Sequence, residues 1–349
     1  MKRYFVIFVV IVMCFGLIGI PTSAKSTETK LISSDSVVMD FFGYTVSVDK
    51  DTIVIGAWGD DDNGSGSGSV YVFVRDKNGW IDEAKLNASD GAKADHFGRS
   101  VSVYKNTIVV GAPYDDDNGS ASGSVYVFVR DNNGWIEAAK LTGSDAAKAD
   151  HFGFSVSVDK DTVIVGAYGN DDKGYASGSA YVFIRDRNGW IEEAKLTASD
   201  GAAGDYFGFS VSVDKDTIIV GAPYNDDNGY DSGSVYVFIR DKNGWIEAVK
   251  LIASDGTAFD YFGFSLSVDK DTIVVGAWGD DDKGSASGSA YVFVHDKNGW
   301  IEEAKLTASD GAAADNFGFS LSVNKDTIVV GAYGDDDNLS LSGSAYVFN

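Results

Sequence analysis

The chain has one cysteine, three prolines and three histidines, and its 28 Lys and Arg are outnumbered by 52 Asp and Glu, for a formal net charge of −24. Each shortage excludes something. A lone cysteine, Cys14, cannot close an intrachain disulfide, so packing must hold the fold. The deficit of positive charge argues against nucleic acid and against anionic membrane surfaces, whose phosphates would be repelled. His96, His151 and His295 sit at repeated positions or in a turn, and no singular Ser-His-Asp or paired-Glu constellation breaks the pattern. The chain therefore reads as non-enzymatic. Three prolines beside 41 glycines suit many short strands joined by turns. Beyond the first 24 residues, no stretch has helical periodicity.

The single long apolar run lies at the start. Lys2 and Arg3 precede an apolar stretch over residues 4–20, and Thr22-Ser23-Ala24 follows. A basic start, a short apolar core and a small-residue cleavage site make an export signal. The run is short for a membrane span. Residues 1–24 are expected to be removed, leaving a secreted or cell-surface chain with no membrane insertion after cleavage. A retained anchor is the alternative. Cys14 lies inside this segment.

What the chain has in abundance is repetition. A Phe-Gly pair recurs at Gly43, Gly98, Gly153, Gly208, Gly263 and Gly318, a spacing of 55 residues each time. A fixed period near this length marks a solenoid or a propeller. Each copy offers four strands. Ser155-Val156-Ser157-Val158 alternates with period two. Thr217-Ile218-Ile219-Val220 and Val235-Tyr236-Val237-Phe238-Ile239 are nearly all apolar, as strands covered on both faces are. Trp245-Ile246-Glu247-Ala248-Val249-Lys250-Leu251 mixes apolar and charged positions, as an outer edge strand does. The expectation is an all-β fold: a six-bladed β-propeller of four-stranded antiparallel blades spanning residues 25–349.

The last copy stops at Asn349 without its fourth strand. Glu28-Thr29-Lys30-Leu31 matches Glu83-Ala84-Lys85-Leu86, again 55 residues apart. Residues 25–31 are thus expected to complete the last blade and close the ring. Strand parity puts the Asp-rich loop and the blade-to-blade connection of every copy on one rim.

These residues resemble the FG-GAP repeat, the unit of the integrin α-subunit propeller, in its bacterial and archaeal exported form. Phe97-Gly98 corresponds to the FG element and Gly111-Ala112-Pro113 to the GAP element. GAP is complete only there and at Gly221-Ala222-Pro223; elsewhere Trp58, Tyr168, Trp278 or Tyr333 replaces Pro. The resemblance implies adhesion or surface interaction. Integrin-type calcium sites lie between the FG and GAP strands, where this chain has only tight turns such as Asp49-Lys50-Asp51-Thr52. Those residues do not carry over.

Two residue sets stand out on the acidic rim. Asp60, Asp62, Asp115, Asp117, Asp280, Asp282, Asp335 and Asp337 are candidate Ca²⁺ ligands, since a hard cation wants several converging oxygens. Asp, Asn and Gly also make such turns unaided. Trp58, Tyr114, Tyr168, Tyr224, Trp278 and Tyr333 follow the Gly-Ala step. They either form a ligand-binding face or pack over the loop bases. Asp40, Asp95, Asp150, Asp205, Asp260 and Asp315, two residues before each Phe-Gly step, read as caps of backbone N–H groups at the strand entry. Phe42, Phe97 and their equivalents read as core. The leading expectation is an exported binding or adhesion module for an extracellular protein or glycan. A calcium-binding structural propeller and a polysaccharide-binding lectin or enzyme are the alternatives. The exported protein is expected to begin at Lys25, which mass spectrometry of secreted material checks; an intact N-terminus would show a retained anchor.

Overall fold

Short β-branched runs broken by Asp, Asn and Gly can pair only with their neighbours in sequence. A computed structural model describes residues 29–35, 37–336 and 342–349. In it the first copy forms β1 (Thr45–Asp49), β2 (Thr52–Ala57), β3 (Ser69–Asp76) and β4 (Gly79–Leu86), paired antiparallel in that order. Copies two to five repeat this meander. The sixth contributes Phe317–Asn324, Thr327–Ala332 and Ser344–Phe348. The six sheets are the blades of a β-propeller. The closing strand expected from residues 25–31 falls mostly on residues 25–28, outside the described residues, and Thr29, Lys30 and Leu31 carry no strand. Among the described residues the sixth sheet therefore has three strands.

The Ser-x-Ser pattern of the first strands has a physical reason. An innermost strand exposes unpaired backbone groups along one edge. Here the neighbouring blade satisfies them. The Ser100 hydroxyl donates to the Gly153 carbonyl at 2.8 Å, and Ser102 Oγ accepts the Val158 N–H at 3.1 Å. Thr45 and Ser47 make the same bonds to Gly98 and Val103, and the pattern runs on to the sixth copy. The strands approach so closely that a Cβ at Gly166 would stand 1.9 Å from the Gly208 carbonyl oxygen. Only glycine fits the Gly-Ala step.

Side chains alternate across each sheet, so each central strand feeds two cores. Ile108, Val110, Tyr126 and Phe128 pack with Val54, Val70 and Val72 of the first blade. Val109, Val125 and Val127 point the other way, toward Phe152 and Val163 of the third. Phe97 is fully buried against Tyr126 and Phe128, the core role expected of it. Five such cores join successive blades. Among the described residues no sixth core joins the last blade to the first. Val48 is 65% exposed where its equivalent Val103 is 6% exposed, and Val329 and Val347 are exposed as well.

Gly166→Ala is expected to cost about 1–3 kcal/mol by overpacking and to lower the melting temperature by several degrees. Gly134→Ala, whose Cβ would meet nothing within 4 Å but whose φ is +112°, isolates backbone strain and is expected to cost less. Equal shifts in a thermal melt would refute the steric account.

Candidate binding face

The acidic loop and the blade-to-blade connection are hydrogen-bonded to each other on one rim. Ala94, His96 and Phe97 donate their N–H groups to the carbonyls of Ser65, Gly66 and Ser67. Loop identity follows from local chemistry, and the three aspartates of the second copy's loop have separate duties. Asp116 Oδ1 accepts the Ala121 N–H at 2.7 Å and so builds the turn, while Ser122 Oγ accepts the Asn118 N–H. Asp115 is buried and Asp117 exposed.

A lysine of the outer strand gathers the other two. Lys140 Nζ lies 2.7, 3.0 and 2.6 Å from Asp90, Asp115 and Asp117. Lys85 does the same with Asp35, Asp60 and Asp62, and Lys305 with Asp255, Asp280 and Asp282. A buried carboxylate such as Asp115 needs a partner, and the ammonium supplies it. The Tyr126 hydroxyl, 2.7 Å from Asp90 and 2.9 Å from Asp115, adds a third contact. Burial pulls the Lys140 pKa down, but hydrogen bonds to Asp117, Asp90 and Asp115 outweigh it and the net shift is upward. In copies three and four Asn170 and Asn225 take the buried position, and Lys195 and Lys250 keep two aspartates each.

Six of the eight candidate metal ligands, Asp60, Asp62, Asp115, Asp117, Asp280 and Asp282, thus converge on a lysine ammonium, the place a Ca²⁺ ion would have to take. Asp335 accepts the Tyr346 hydroxyl at 2.9 Å, and Asp337 lies outside the described residues. Among the described residues no three acidic, histidine or cysteine side chains are disposed to hold a metal without such a cation. The lysine partner escaped the sequence reading, although Lys recurs in every outer strand at a constant distance from the acidic loop. So did the outer-strand glutamates: Glu137 accepts both the Ser89 N–H and its hydroxyl, tying one blade's connection to the next blade.

The aspartates before each Phe-Gly step cap an N–H three residues upstream, in the blade-to-blade connection, and not at the strand entry where they were expected to act. Asp95 Oδ2 accepts the Ala92 N–H at 2.7 Å, and Asp150, Asp205, Asp260 and Asp315 do likewise.

The six aromatics after Gly-Ala pack against neighbouring rings, face-on or edge-on, rather than standing free. Trp58 lies 4.5 Å from Phe41 and 4.6 Å from His96, centroid to centroid. His96, Tyr114, His151, Tyr168, Tyr206, Tyr224, Tyr261 and Trp278 continue the row with spacings of 4.7–5.4 Å. Asn316 interrupts it, and Tyr333 stacks instead on Phe319 at 4.4 Å. A second row, Phe154, Phe209, Phe264 and Phe319, runs beside it at 4.8–4.9 Å. The Arg99 guanidinium lies between Tyr44 and Phe154, 4.6 and 4.4 Å from their rings, as a cation–π bridge. Trp58, Tyr114, Tyr168, Tyr224 and Trp278 are half-buried and Tyr333 is exposed. Burial lowers the pKa of both His96 and His151, so they serve the row as neutral rings.

With this geometry in view, the chain can be set beside known proteins. A family model described as "FG-GAP repeat" matches residues 26–73, 80–128, 135–183, 190–238, 245–293 and 300–348. The chain belongs to the FG-GAP repeat family. The units that begin at residues 80, 135, 190, 245 and 300 start in outer strands. Integrin alpha-6 of Gallus gallus is 28% identical over 208 residues, which is 55% of this chain but only 18% of that protein. Among solved structures, Sqt1 of Saccharomyces cerevisiae aligns over 89% of this FG-GAP chain and 85% of its own, with 10% identity and a TM-score of 0.44.

One carboxylate on this face titrates near neutrality. Burial, and then the charge of Asp115, push Asp95 up to about 6 against the opposing Ala92 N–H. A raised acid pKa means the folded state holds its proton more tightly, so stability falls as pH rises from about 4 to about 6. In copy four Asn225 donates to Asp205 at 3.2 Å instead. Asp115→Asn is therefore expected to raise the melting temperature at pH 7.5 by about 1–3 °C and to flatten the slope between pH 4 and 6. An unchanged slope in melts taken across that range would refute the assignment.

Proposed function

We propose that this FG-GAP propeller is an exported, non-enzymatic binding and adhesion module that engages an extracellular protein or glycan through its acidic, aromatic face. The observation that carries this is the continuous row of rings from Phe41 to Trp278 on the rim that also holds the Asp loops. Such rings present large, rigid, partly apolar area beside polar groups, which is the composition of binding hot spots. Trp58, Tyr114, Tyr168, Tyr224, Trp278 and Tyr333 are its ligand-facing members. The likeness to an integrin α chain supports surface adhesion. The reading of residues 1–24 as an export signal supports a secreted or cell-surface location. His96 and His151 pack among the rings of the row and His295 meets Trp300 edge-on, which supports a binding rather than a catalytic role. A Ca²⁺ ion at the Asp loops would compete with the lysine ammonium, so calcium is assigned at most a secondary, structural part.

Trp58→Ala combined with Trp278→Ala is expected to weaken capture of the cognate extracellular protein or glycan at least tenfold. Surface plasmon resonance or a glycan array, with and without EDTA, reads this. Tyr333→Ala, at an exposed position, repeats the test without disturbing the row. Undiminished binding by both variants would sink the proposal.

A further inference from the structure

On the rim between blades four and five the chain departs from its own repeat. Tyr230 and Phe259 are 62% and 52% exposed, and their rings lie 5.4 Å apart. The equivalents of Tyr230 are Ser65, Ser120, Ser285 and Ser340, with Tyr175 the one other aromatic. Tyr175 is 77% exposed, but Gly204 stands where a partner ring would come from. Asp231 follows Tyr230, where the other copies carry Gly66, Ala121, Ala176, Ala286 and Leu341. Exposed rings and a charge confined to one junction serve neither the turn nor the core, since the other copies form both without them.

The backbone of Asp231 is pinned from both sides. Its N–H donates to Asp226 Oδ1 at 2.8 Å, and its carbonyl accepts the Tyr261 N–H at 3.1 Å. It holds φ at +55°, a region a non-glycine residue enters at a cost. Its carboxylate has no hydrogen-bond or ion-pair partner among the described residues. After burial, its charge contributes to raising the Tyr261 pKa. Tyr261 in turn stacks on Trp278 at 4.7 Å and contacts Tyr224 at 5.4 Å.

The protein itself shows what such an arrangement takes. Lys250 Nζ reaches the Asp200 and Asp227 carboxylates while lying 5.0 Å from the Tyr236 ring, and four other lysines do the same. At Asp231 the carboxylate and the rings are present and the ammonium is missing. We propose that Tyr230, Asp231, Phe259 and Tyr261 form a lysine-receiving subsite, taking a lysine side chain from an extended segment of a partner protein. The methylene stem would lie on Tyr230 and Phe259 and the ammonium on Asp231. This rests on the binding-face reading and names its partner chemistry.

The test uses the whole chain and a fluorescein-labelled peptide of alternating Gly and Lys, read by anisotropy at physiological salt. Parallel arms use the acetyl-lysine and arginine versions and a soluble chito-oligosaccharide. Asp231→Ala and Phe259→Ala install residues that other copies already carry, so both are expected to fold, which a melt checks. Asp51→Ala on the opposite rim removes the same charge elsewhere. Binding of the lysine peptide should fall about tenfold in Asp231→Ala and severalfold in Phe259→Ala, and stay within twofold in Asp51→Ala; the acetylated peptide should not bind. No binding by the unaltered protein, equal loss in Asp51→Ala, or preference for arginine or the oligosaccharide would each overturn the subsite. If Asp231→Ala is silent while the Trp58 and Trp278 variants still lose their partner, this subsite falls and the wider face stands.

Discussion

The near-contact of innermost strands governs this molecule. In copies one to five a glycine lets the next copy's Phe-Gly carbonyl approach to a distance no Cβ would permit, and a serine hydroxyl (Thr45 in the first copy) then bonds that same carbonyl. Blade spacing follows from this approach. Spacing in turn decides that the facing sides of successive sheets are dry, that the central strands between two such faces must be apolar throughout, and that Phe97, Phe152, Phe207, Phe262 and Phe317 are enclosed. Remove the glycine and the serine, and the remaining valines and isoleucines describe a sheet with no reason to stack at this interval.

Charge is handled by a second repeated device. The chain carries a large acidic excess, yet its buried aspartates are not left alone. One lysine per outer strand is set among them, with a tyrosine hydroxyl completing the group. A buried pair of this kind is weak evidence for net stability, because desolvation offsets much of the attraction. Its effect is to fix where the acidic loop sits. The rim that holds the acidic loops is therefore less anionic than its aspartate content suggests, and the packed rings are its more distinctive feature.

Much of this was legible in advance. The 55-residue period, the two-residue alternation and the apolar central runs imply radial blades, and Asp95 and Phe97 have the capping and core duties their chemistry suggests. The limits have physical causes. Lys140 reads as an edge charge because its partners, Asp90, Asp115 and Asp117, are 50, 25 and 23 residues away, and nothing local reveals that two loops meet there. Trp58 could equally have stood in solvent or in a stack, since a ring's partners come from a different strand. The row is visible only once His96 and His151 are seen as rings rather than as titrating groups. The expected closing strand lies largely outside the described residues, so the sixth blade is known by three strands.

The serine stitches also bear on how such a chain finds its structure. They join residues 53 and 56 positions apart, and reach no further than the adjoining copy. Search distances are then set by a single unit and not by total length, unlike a sandwich whose sheets interleave distant segments. Nucleation can start at any junction and spread by zippering, each docked copy templating the following one. The hazard of the same arrangement is mistaken identity: with copies this alike, a strand that skips one unit meets nearly the same partner, and misthreaded intermediates compete with correct ones.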